Sequence, residues 1–253
     1  MKTMSFINWK GGVGKSTIST TIAYVLANMG AKVLFIDDDK QGNSSRWFDA
    51  DIKNHATLSD IILKGCSAEE AIQTTRYPNI DIIAAGHLQD AVYEPLLNQG
   101  IDQNDILRPA LEPIKDRYHI CVTDNAPDSN IIIMNVMGLS DYIFAITELV
   151  EWAMNGVDQL KEELQKYNAQ MRGHNSGITG IIINKYIANP QSLKMLEVLR
   201  RKGYDNIFNP YLRNSRSTAG ILSTCINEHK CICETNPRCA LATDIKALIK
   251  NMM

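Results

Sequence analysis

Apolar residues follow two patterns along this chain: short runs bounded by polar residues, and longer stretches in which they recur every three or four positions. The short runs predict strands at Thr3–Asn8, Lys32–Asp37, Ile80–Ala84, His119–Asp124, Tyr142–Thr147, Gly177–Asn184 and near Ile207. The longer stretches predict helices at Ser16–Met29, Thr57–Leu63, Gln103–Ile114, Trp152–Ala169, Pro190–Lys202 and Thr243–Asn251. Alternating strands and helices are typical of a parallel sheet covered on both faces, so we expect one α/β domain over residues 1–253.

Composition and charge narrow the class of protein. The chain has 253 residues, of which 45% are hydrophobic and 21% charged, as in ordinary folded proteins. Its net charge of −2 gives no overall attraction to nucleic acid, so any DNA binding has to come from a local patch. No apolar run has the length of a membrane span, and the N-terminus leaves no room for a signal peptide before the first strand. We therefore expect a cytoplasmic protein.

The segment KGGVGKST, from Lys10 to Thr17, lies between the first predicted strand and the first predicted helix. A phosphate-binding loop requires this context, because backbone N–H groups and a helix N-terminus then surround the anion. Lys15 would reach the terminal phosphates, and the Ser16 hydroxyl would bind a magnesium ion. The usual motif begins with glycine, but Trp9 occupies that position and a second lysine, Lys10, follows it. The segment therefore predicts a phosphate loop with two lysines.

Acidic residues follow two of the predicted strands. Asp37, Asp38 and Asp39 lie at the end of the second strand, and alternation along a strand would send Asp37 and Asp39 to the same side. Two like carboxylates together are costly unless a cation or a reacting water uses them. Asp124 ends the fourth run, and a carboxylate at that place beside a phosphate loop holds magnesium, commonly through water. We therefore expect a metal-dependent site at this edge of the sheet.

The motifs KGGVGKST, DDDKQGN and DNAP, in this order, resemble those of the deviant Walker A ATPases of the ParA/Soj type, and the similarity runs nearly end to end. The resemblance implies a P-loop NTPase fold, with a doubly wound, mostly parallel sheet in three α/β/α layers, and an ATPase that uses ATP and Mg²⁺. It implies that Lys15 contacts the nucleotide within its own subunit, whereas Lys10 reaches the partner's ATP across a nucleotide-sandwich homodimer. Such a residue supplied in trans would couple hydrolysis to assembly.

The resemblance also assigns residue roles. Asp39 matches the aspartate linked to the attacking water, Asp124 matches the Walker B residue, and Asn184 matches a position that reads the adenine edge in some relatives. The implied catalytic residues are Lys10, Lys15 and Asp39. The implied metal site comprises Ser16, Asp39 and Asp124. The implied nucleotide-binding residues are Lys10, Gly11, Gly12, Val13, Gly14, Lys15, Ser16, Thr17 and Asn184.

The sequence departs from that family at three places. Lys40 stands where proline is usual after the second aspartate, and DNAP replaces the common DCPP. Thr147-Glu148 occupies a place where relatives often have Pro-Val. None of these departures removes a catalytic group, but they leave the geometry of the switch regions open.

ParA-like proteins bind DNA nonspecifically as ATP dimers, through basic residues in their C-terminal part. The candidates here are Arg213 and Arg216, with Arg200, Arg201 and Lys202 nearby in sequence. Arginines among Ser and Asn suit phosphate contacts, although a merely solvated basic face stays open as an alternative. The resemblance implies partitioning of a plasmid, chromosome or mobile element, nucleoid association in the cytoplasm, and a ParB-like partner.

Two other classes of protein are alternatives, of which the second shares the two-lysine loop. A membrane-positioning ATPase of the MinD type needs a C-terminal amphipathic anchor. The tail places Ile245, Leu248, Ile249 and Met252 on one face, but it is short and lacks interfacial aromatic residues, so a helix packed on its own core is favoured and no membrane partner is expected. An iron–sulfur donor of the nitrogenase iron-protein type needs two well-placed cysteines per subunit, and Cys121 lies before the Walker B aspartate rather than beyond it.

Four cysteines near the C-terminus, which we call the C-terminal cysteines, raise the question of a metal site. They are Cys225, Cys231, Cys233 and Cys239. Their spacing differs from that of zinc sites, in which cysteines usually pair two to four residues apart. We therefore favour separate thiols over a metal centre, although the sequence alone leaves both open.

Overall fold

The strands form one mixed sheet. The structure is a computed structural model that describes residues 1–86, 105–127, 131–170, 177–214 and 216–252. The strands are β1 (Lys2–Ile7), β2 (Val33–Asp37), β3 (Ile72–Thr74), β4 (Ile80–Ile83), β5 (Ile120–Asp124), β6 (Tyr142–Thr147) and β7 (Gly180–Ile183). Their spatial order is β3-β4-β2-β5-β1-β6-β7, and every neighbouring pair is parallel except β3 with β4. The mostly parallel, doubly wound sheet expected from the sequence is confirmed.

Helices follow the strands along the chain. They are α1 (Lys15–Asn28), α2 (Asn43–Trp47), α3 (Leu58–Lys64), α4 (Ala68–Ala71), α5 (Leu107–Leu111), α6 (Ile131–Leu139), α7 (Glu151–Gln170), α8 (Pro190–Arg201), α9 (Arg216–Glu228), α10 (Ile232–Thr235) and α11 (Ala240–Met252). The first helix starts where the glycine-rich loop ends, and α3 begins after Thr57, whose backbone N–H and hydroxyl both donate to the Asp60 carboxylate.

Two of the predicted elements take a different form in the structure. The helix expected at Gln103–Ile114 begins outside the described residues, and within them it continues only as α5 before a 3₁₀ turn at Glu112–Arg117. Pro113 lies at the start of that turn and lacks the N–H that an α-helix would need there. The strand expected near Ile207 is a single parallel bridge to Ile181 rather than a full strand.

Side chains of the buried strands divide between two faces of the sheet. Along β2, Val33 and Phe35 pack in a cluster with residues of α1 and α11, whereas Leu34 and Ile36 pack in a cluster with residues of α3 and α5. This alternation is what a strand covered on both sides requires, since successive side chains point to opposite faces. The three-layer arrangement leaves the carboxyl ends of the central strands open.

Candidate nucleotide-binding site

The three sequence motifs lie at the ends of three neighbouring strands. β5 is between β2 and β1, with Asp124 paired in register to Asp37 on one side and to Phe6 on the other. The backbone N–H of Asp38 donates to the carbonyl of Asp124 at 2.8 Å, which extends the pairing beyond the strand. Ligands of open parallel sheets bind outside these carboxyl ends, so the motifs converge where the fold places a binding crevice.

The loop between β1 and α1 has a conformation that depends on glycine. Gly12 and Gly14 have φ angles of 77° and 96°, in the left-handed region that side chains disfavour, and Gly14 is the N-cap of α1. A Cβ on Gly14 would also lie 2.3 Å from Nδ2 of Asn184. The loop therefore ends directly at the N-terminus of α1, which is the arrangement that binds phosphate.

A cavity of about 470 Å³ opens over this loop. Its lining residues are Gly11, Gly12, Gly14, Lys15, Ser16, Thr17, Asp39, Asn43, Arg46, Trp47, Pro127 and His229. The volume is within the range of small-molecule and cofactor sites. Lys15 is buried and lines the cavity, whereas Lys10 is partly exposed and is not among the lining residues, although Nζ of Lys15 donates to the backbone carbonyl of Lys10 at 3.2 Å. The two lysines of one loop thus occupy different positions relative to the cavity.

Asp124 is a fully buried carboxylate with one unused oxygen. Its Oδ2 accepts a hydrogen bond from the Ser44 hydroxyl at 2.7 Å, and its Oδ1 has no hydrogen-bond partner among the described residues. Burial raises the pKa of Asp124, against the opposing effects of the Ser16 and Ser44 hydroxyls and of Lys15. An unused carboxylate oxygen close to a serine hydroxyl is a donor set that suits Mg²⁺. These residues therefore fit a divalent cation.

Asp37 and Asp39 are both buried but differ in what their carboxylates contact. β2 ends at Asp37, so the alternation stops there; the Asp37 carboxylate accepts bonds from the backbone N–H and hydroxyl of Ser45, both at 2.7 Å, and from the N–H of Asp39. Burial, and secondarily the neighbouring Asp124 carboxylate, raise the pKa of Asp37 to about 7. Asp39 lines the cavity instead, and its Oδ1 accepts from the N–H of Gln41 at 2.9 Å.

Sequence reasoning missed the wall of the cavity that faces the glycine-rich loop. Asn43, Arg46 and Trp47 belong to α2, and His229 comes from a distant part of the chain, where its Nδ1 lies 2.9 Å from Oδ1 of Asp49. Trp47 is 6% exposed, and its Nε1 has no hydrogen-bond partner among the described residues. The DDDKQGN motif leads into α2, since its last residue, Asn43, is the first residue of that helix. No local signal in the sequence connected His229 to the site.

Two buried asparagines form hydrogen bonds with the backbone of the glycine-rich loop. The side chain of Asn8 accepts from the backbone N–H of Lys10 at 2.8 Å and donates to the carbonyl of Ile146 at 2.7 Å. The side chain of Asn184 donates to the carbonyl of Val13 at 2.8 Å. Asn184 therefore contacts the loop itself in this structure, and its expected contact with adenine stays a prediction.

The two arginines proposed for DNA binding differ in what the structure describes. Arg213 forms a bidentate pair with the nearly buried Asp244, with Nε 2.9 Å from Oδ2 and Nη2 2.7 Å from Oδ1, while about half of its side chain stays exposed. Its charge is thus partly balanced within the fold. Arg216 is the first residue of α9, and its side chain lies outside the described residues.

The C-terminal segment packs into the core. Ile245, Leu248 and Ile249 of α11 are at most 2% exposed in the cluster that contains residues of α1, and Met252 packs against it. The C-terminal cysteines are buried free thiols, and the described residues contain no group of three or more His, Cys, Asp or Glu side chains that could hold a metal ion. Within the same residues, no helix combines the length and apolarity needed to cross a bilayer.

Comparison with protein families identifies the chain. A family model described as an AAA domain matches residues 1–177. The chain belongs to this family. The relatives and structural neighbours confirm the resemblance to ParA-type P-loop ATPases.

Named relatives and solved structures resemble the chain over most of its length. The chain is 28% identical to a virulence plasmid ParA family protein, pGP5-D, of Chlamydia psittaci, over 73% of this chain and 69% of that one. It is 29% identical to the chromosome partitioning protein ParA of Caulobacter vibrioides, over 74% and 70%. Among solved structures, the ATP complex of Cyanothece McdA(D38A) has a TM-score of 0.85 at 20% identity, and the match covers 100% of this chain and 96% of that one. The Mg-ADP complex of MinD from Pyrococcus horikoshii has a TM-score of 0.76 at 20% identity, and the match covers 99% of this chain and 95% of that one.

Proposed function

We propose that this protein binds ATP with Mg²⁺ in the cavity over the glycine-rich loop and hydrolyses it slowly. The relatives named for partitioning, and the structural neighbours that contain ATP or Mg-ADP, support this choice of ligand. In the proposed complex, Lys15 and the loop N–H groups bind the phosphates, while Ser16 and Asp124 hold the cation, which would neutralise charge on the phosphates. Asp39, at the cavity wall, would orient the attacking water.

We further propose that ATP closes a homodimer in which Lys10 acts on the partner's nucleotide. The observation that carries this proposal is the separation of the two lysines: Lys15 lines the cavity of its own chain, and Lys10 does not. A partly exposed lysine on the phosphate loop that does not line its own cavity is available to a second subunit. Because Lys10 would complete only the partner's site, hydrolysis would be coupled to dimerisation.

The proposed cellular role is DNA partitioning. The ATP dimer would bind DNA nonspecifically through Arg213 and Arg216 and be released when hydrolysis separates the dimer, with a ParB-like protein stimulating the ATPase. The names of the relatives support this role. The buried apolar face of α11 argues against the alternative, a MinD-like membrane anchor, since Ile245, Leu248 and Ile249 pack inside the protein.

The test is DNA binding measured with ATP, with ADP and without nucleotide. We expect binding with ATP only and a steep decrease with salt, since phosphate contacts release counterions. Lys10→Ala is expected to abolish this binding together with dimerisation, while ATP binding weakens less. Absence of DNA binding, combined with ATP-dependent co-sedimentation with anionic liposomes, would favour the membrane alternative.

The arginine patch needs a control because Arg213 also neutralises Asp244. Arg213→Ala alone would leave a nearly buried carboxylate unpaired, so a loss of DNA binding could reflect lost structure. Arg213→Ala with Asp244→Asn removes both charges and keeps the site neutral. If this double variant, combined with Arg216→Ala, bound DNA with unchanged affinity and salt dependence, the patch would be the wrong one.

A further inference from the structure

Glu148 and Lys185 form an ion pair beside the glycine-rich loop. Glu148 follows β6 directly, at one of the positions where the sequence departs from ParA-like proteins, and Lys185 lies two residues after the neighbouring strand β7. The two strand ends are tied together, since the N–H of Asn184 donates to the carbonyl of Thr147 at 2.8 Å. Nζ of Lys185 lies 2.7 Å from Oε1 of Glu148, which is only 16% exposed. The departure from Pro-Val at this position thus introduces a charged partner for a specific lysine.

The same ammonium group also contacts the glycine-rich loop. Nζ of Lys185 donates to the backbone carbonyl of Gly12 at 2.7 Å. Gly12 is exposed and has φ 77°, and Gly11 beside it is exposed as well, so this part of the loop has little packing of its own. Lys185 itself has φ 52°, in the left-handed region that a lysine seldom adopts. A residue in that conformation is held there by its surroundings.

The segment from Lys10 to Gly12 is therefore held at both ends by side chains from outside the loop. At its start, the buried Asn8 accepts from the N–H of Lys10 at 2.8 Å. At its end, Lys185 binds the Gly12 carbonyl. The lysine proposed to act across the dimer extends from this segment. Fixing the backbone at both ends limits the directions in which the Lys10 side chain can extend, which favours a trans contact by lowering its entropic cost.

We infer that Lys185, held by Glu148, is a positioning residue for the Lys10–Gly12 segment, and that it prepares Lys10 for the ATP-dependent dimer. The inference rests on the proposed function for the role of Lys10, but the positioning itself concerns this chain alone. Lys185 is 44% exposed, so the loss of its ammonium group is expected to loosen the loop without unfolding the protein.

The first measurement is hydrogen–deuterium exchange of the peptide that covers residues 10–14, without nucleotide. Lys185→Met removes the donor and keeps the aliphatic stem, and we expect exchange of this peptide to become about tenfold faster, as for loss of a charge-assisted hydrogen bond. Glu148→Gln is expected to have a smaller effect in the same direction, and Lys185→Arg to keep nearly the wild-type rate. The matched control is Lys202→Met, which breaks a comparable surface pair with Asp158 and is expected to leave the peptide unchanged.

A charge reversal separates positioning from simple charge pairing. Lys185→Glu with Glu148→Lys restores the pair of opposite charges, but a carboxylate at position 185 cannot donate to the Gly12 carbonyl. We expect exchange in this double variant to stay as fast as in Lys185→Met. Wild-type exchange in the double variant, or in Lys185→Met itself, would overturn the inference.

The second measurement is ATP-dependent dimerisation of the same variants. We expect Lys185→Met to weaken it about tenfold while ATP affinity of the monomer changes less than about threefold, because Lys15 and the helix N-terminus are untouched. An equal loss in both quantities would overturn the positioning role. If the wild-type protein did not dimerise with ATP, the proposed function would fail, and the exchange measurement would still decide whether Lys185 positions the loop.

Discussion

Replacing Asp124 by Asn is expected to stabilise the nucleotide-free protein while it lowers ATP hydrolysis. Asp37 and Asp124 are both fully buried and are paired in register at the ends of neighbouring strands. Burial is the main cause that raises the pKa of both carboxyl groups, and a neighbouring carboxylate adds to it, Asp124 for Asp37 and Asp39 for Asp124. Two buried carboxylates placed together for a cation therefore lower the stability of the nucleotide-free protein at neutral pH.

The magnitude follows from the pKa of Asp37, which rises from 3.8 to about 7. Because the folded-state pKa lies above the unfolded one, the stability associated with this group is fully present below about pH 4 and is lost as the pH rises towards 7. One pKa unit corresponds to about 1.4 kcal/mol, so ionising Asp37 at neutral pH costs the folded state on the order of 4 kcal/mol, with burial as the largest cause. Asp124→Asn removes one charge but leaves Asp37 buried, and we expect a gain of about 1–2 kcal/mol.

The assay is urea unfolding of wild type and Asp124→Asn from pH 4.5 to 8, with EDTA and without nucleotide. The difference between the two proteins is the informative quantity, since other titrating groups contribute equally to both. We expect the difference to grow with pH in favour of the variant. Asp205→Asn, at an exposed aspartate, serves as the control and should show no such trend. An Asp124→Asn protein that is less stable than wild type at pH 7.5, with the same pH dependence, would refute the reasoning.

Three further predictions concern packing, thiols and the Asp244 pair. Gly156→Ala in α7 is expected to lower the free energy of unfolding, measured in urea, by about 1–3 kcal/mol, since its Cβ would lie 2.0 Å from the side-chain oxygen of the buried asparagine after β1. Gly220→Ala, in open space on α9, should instead raise it by up to about 1 kcal/mol in the same assay. A thiol reagent should modify the partly exposed Cys66 first and the buried C-terminal cysteines only on unfolding, and fast labelling of all of them would contradict their burial. Arg213→Ala is expected to lower the free energy of unfolding by about 1–3 kcal/mol, and adding Asp244→Asn should restore most of it, whereas no recovery would show that the pair is not the cause.

Much of the sheet was predictable because its strands are buried on both faces. An uninterrupted apolar run such as Tyr142–Thr147 predicts a buried strand, and in the structure this strand has the predicted bounds. The edge strand Ile72–Thr74 was missed because three residues carry no pattern of their own, and it forms only through antiparallel pairing with β4. Helix Ile131–Leu139 was missed because apolar residues occupy nearly every position, which hides the helical period.

The candidate site, like the sheet, was predicted only in part. The phosphate loop, Asp39 and Asp124 could be predicted, since each belongs to a local motif whose spacing carries the chemistry. The residues that support the loop could not be predicted. Asn8 acts through contacts with Lys10 and with distant Ile146, and Lys185 through Gly12, and such contacts exist only once β6 and β7 lie beside the loop. The expectation that Asp37 and Asp39 point to the same side stays a prediction, because β2 ends at Asp37 and strand alternation does not extend to Asp39.

Sedimentation velocity of the wild-type protein with Mg-ATP, with Mg-ADP and without nucleotide tests the central claim most directly. The central claim is that the loop with two lysines is half of a site completed by a second subunit. We expect a dimer with ATP alone, and a Lys10→Ala protein that binds ATP yet stays monomeric. A wild-type protein that remains monomeric with saturating ATP, or a Lys10→Ala protein that dimerises as the wild type does, would contradict it.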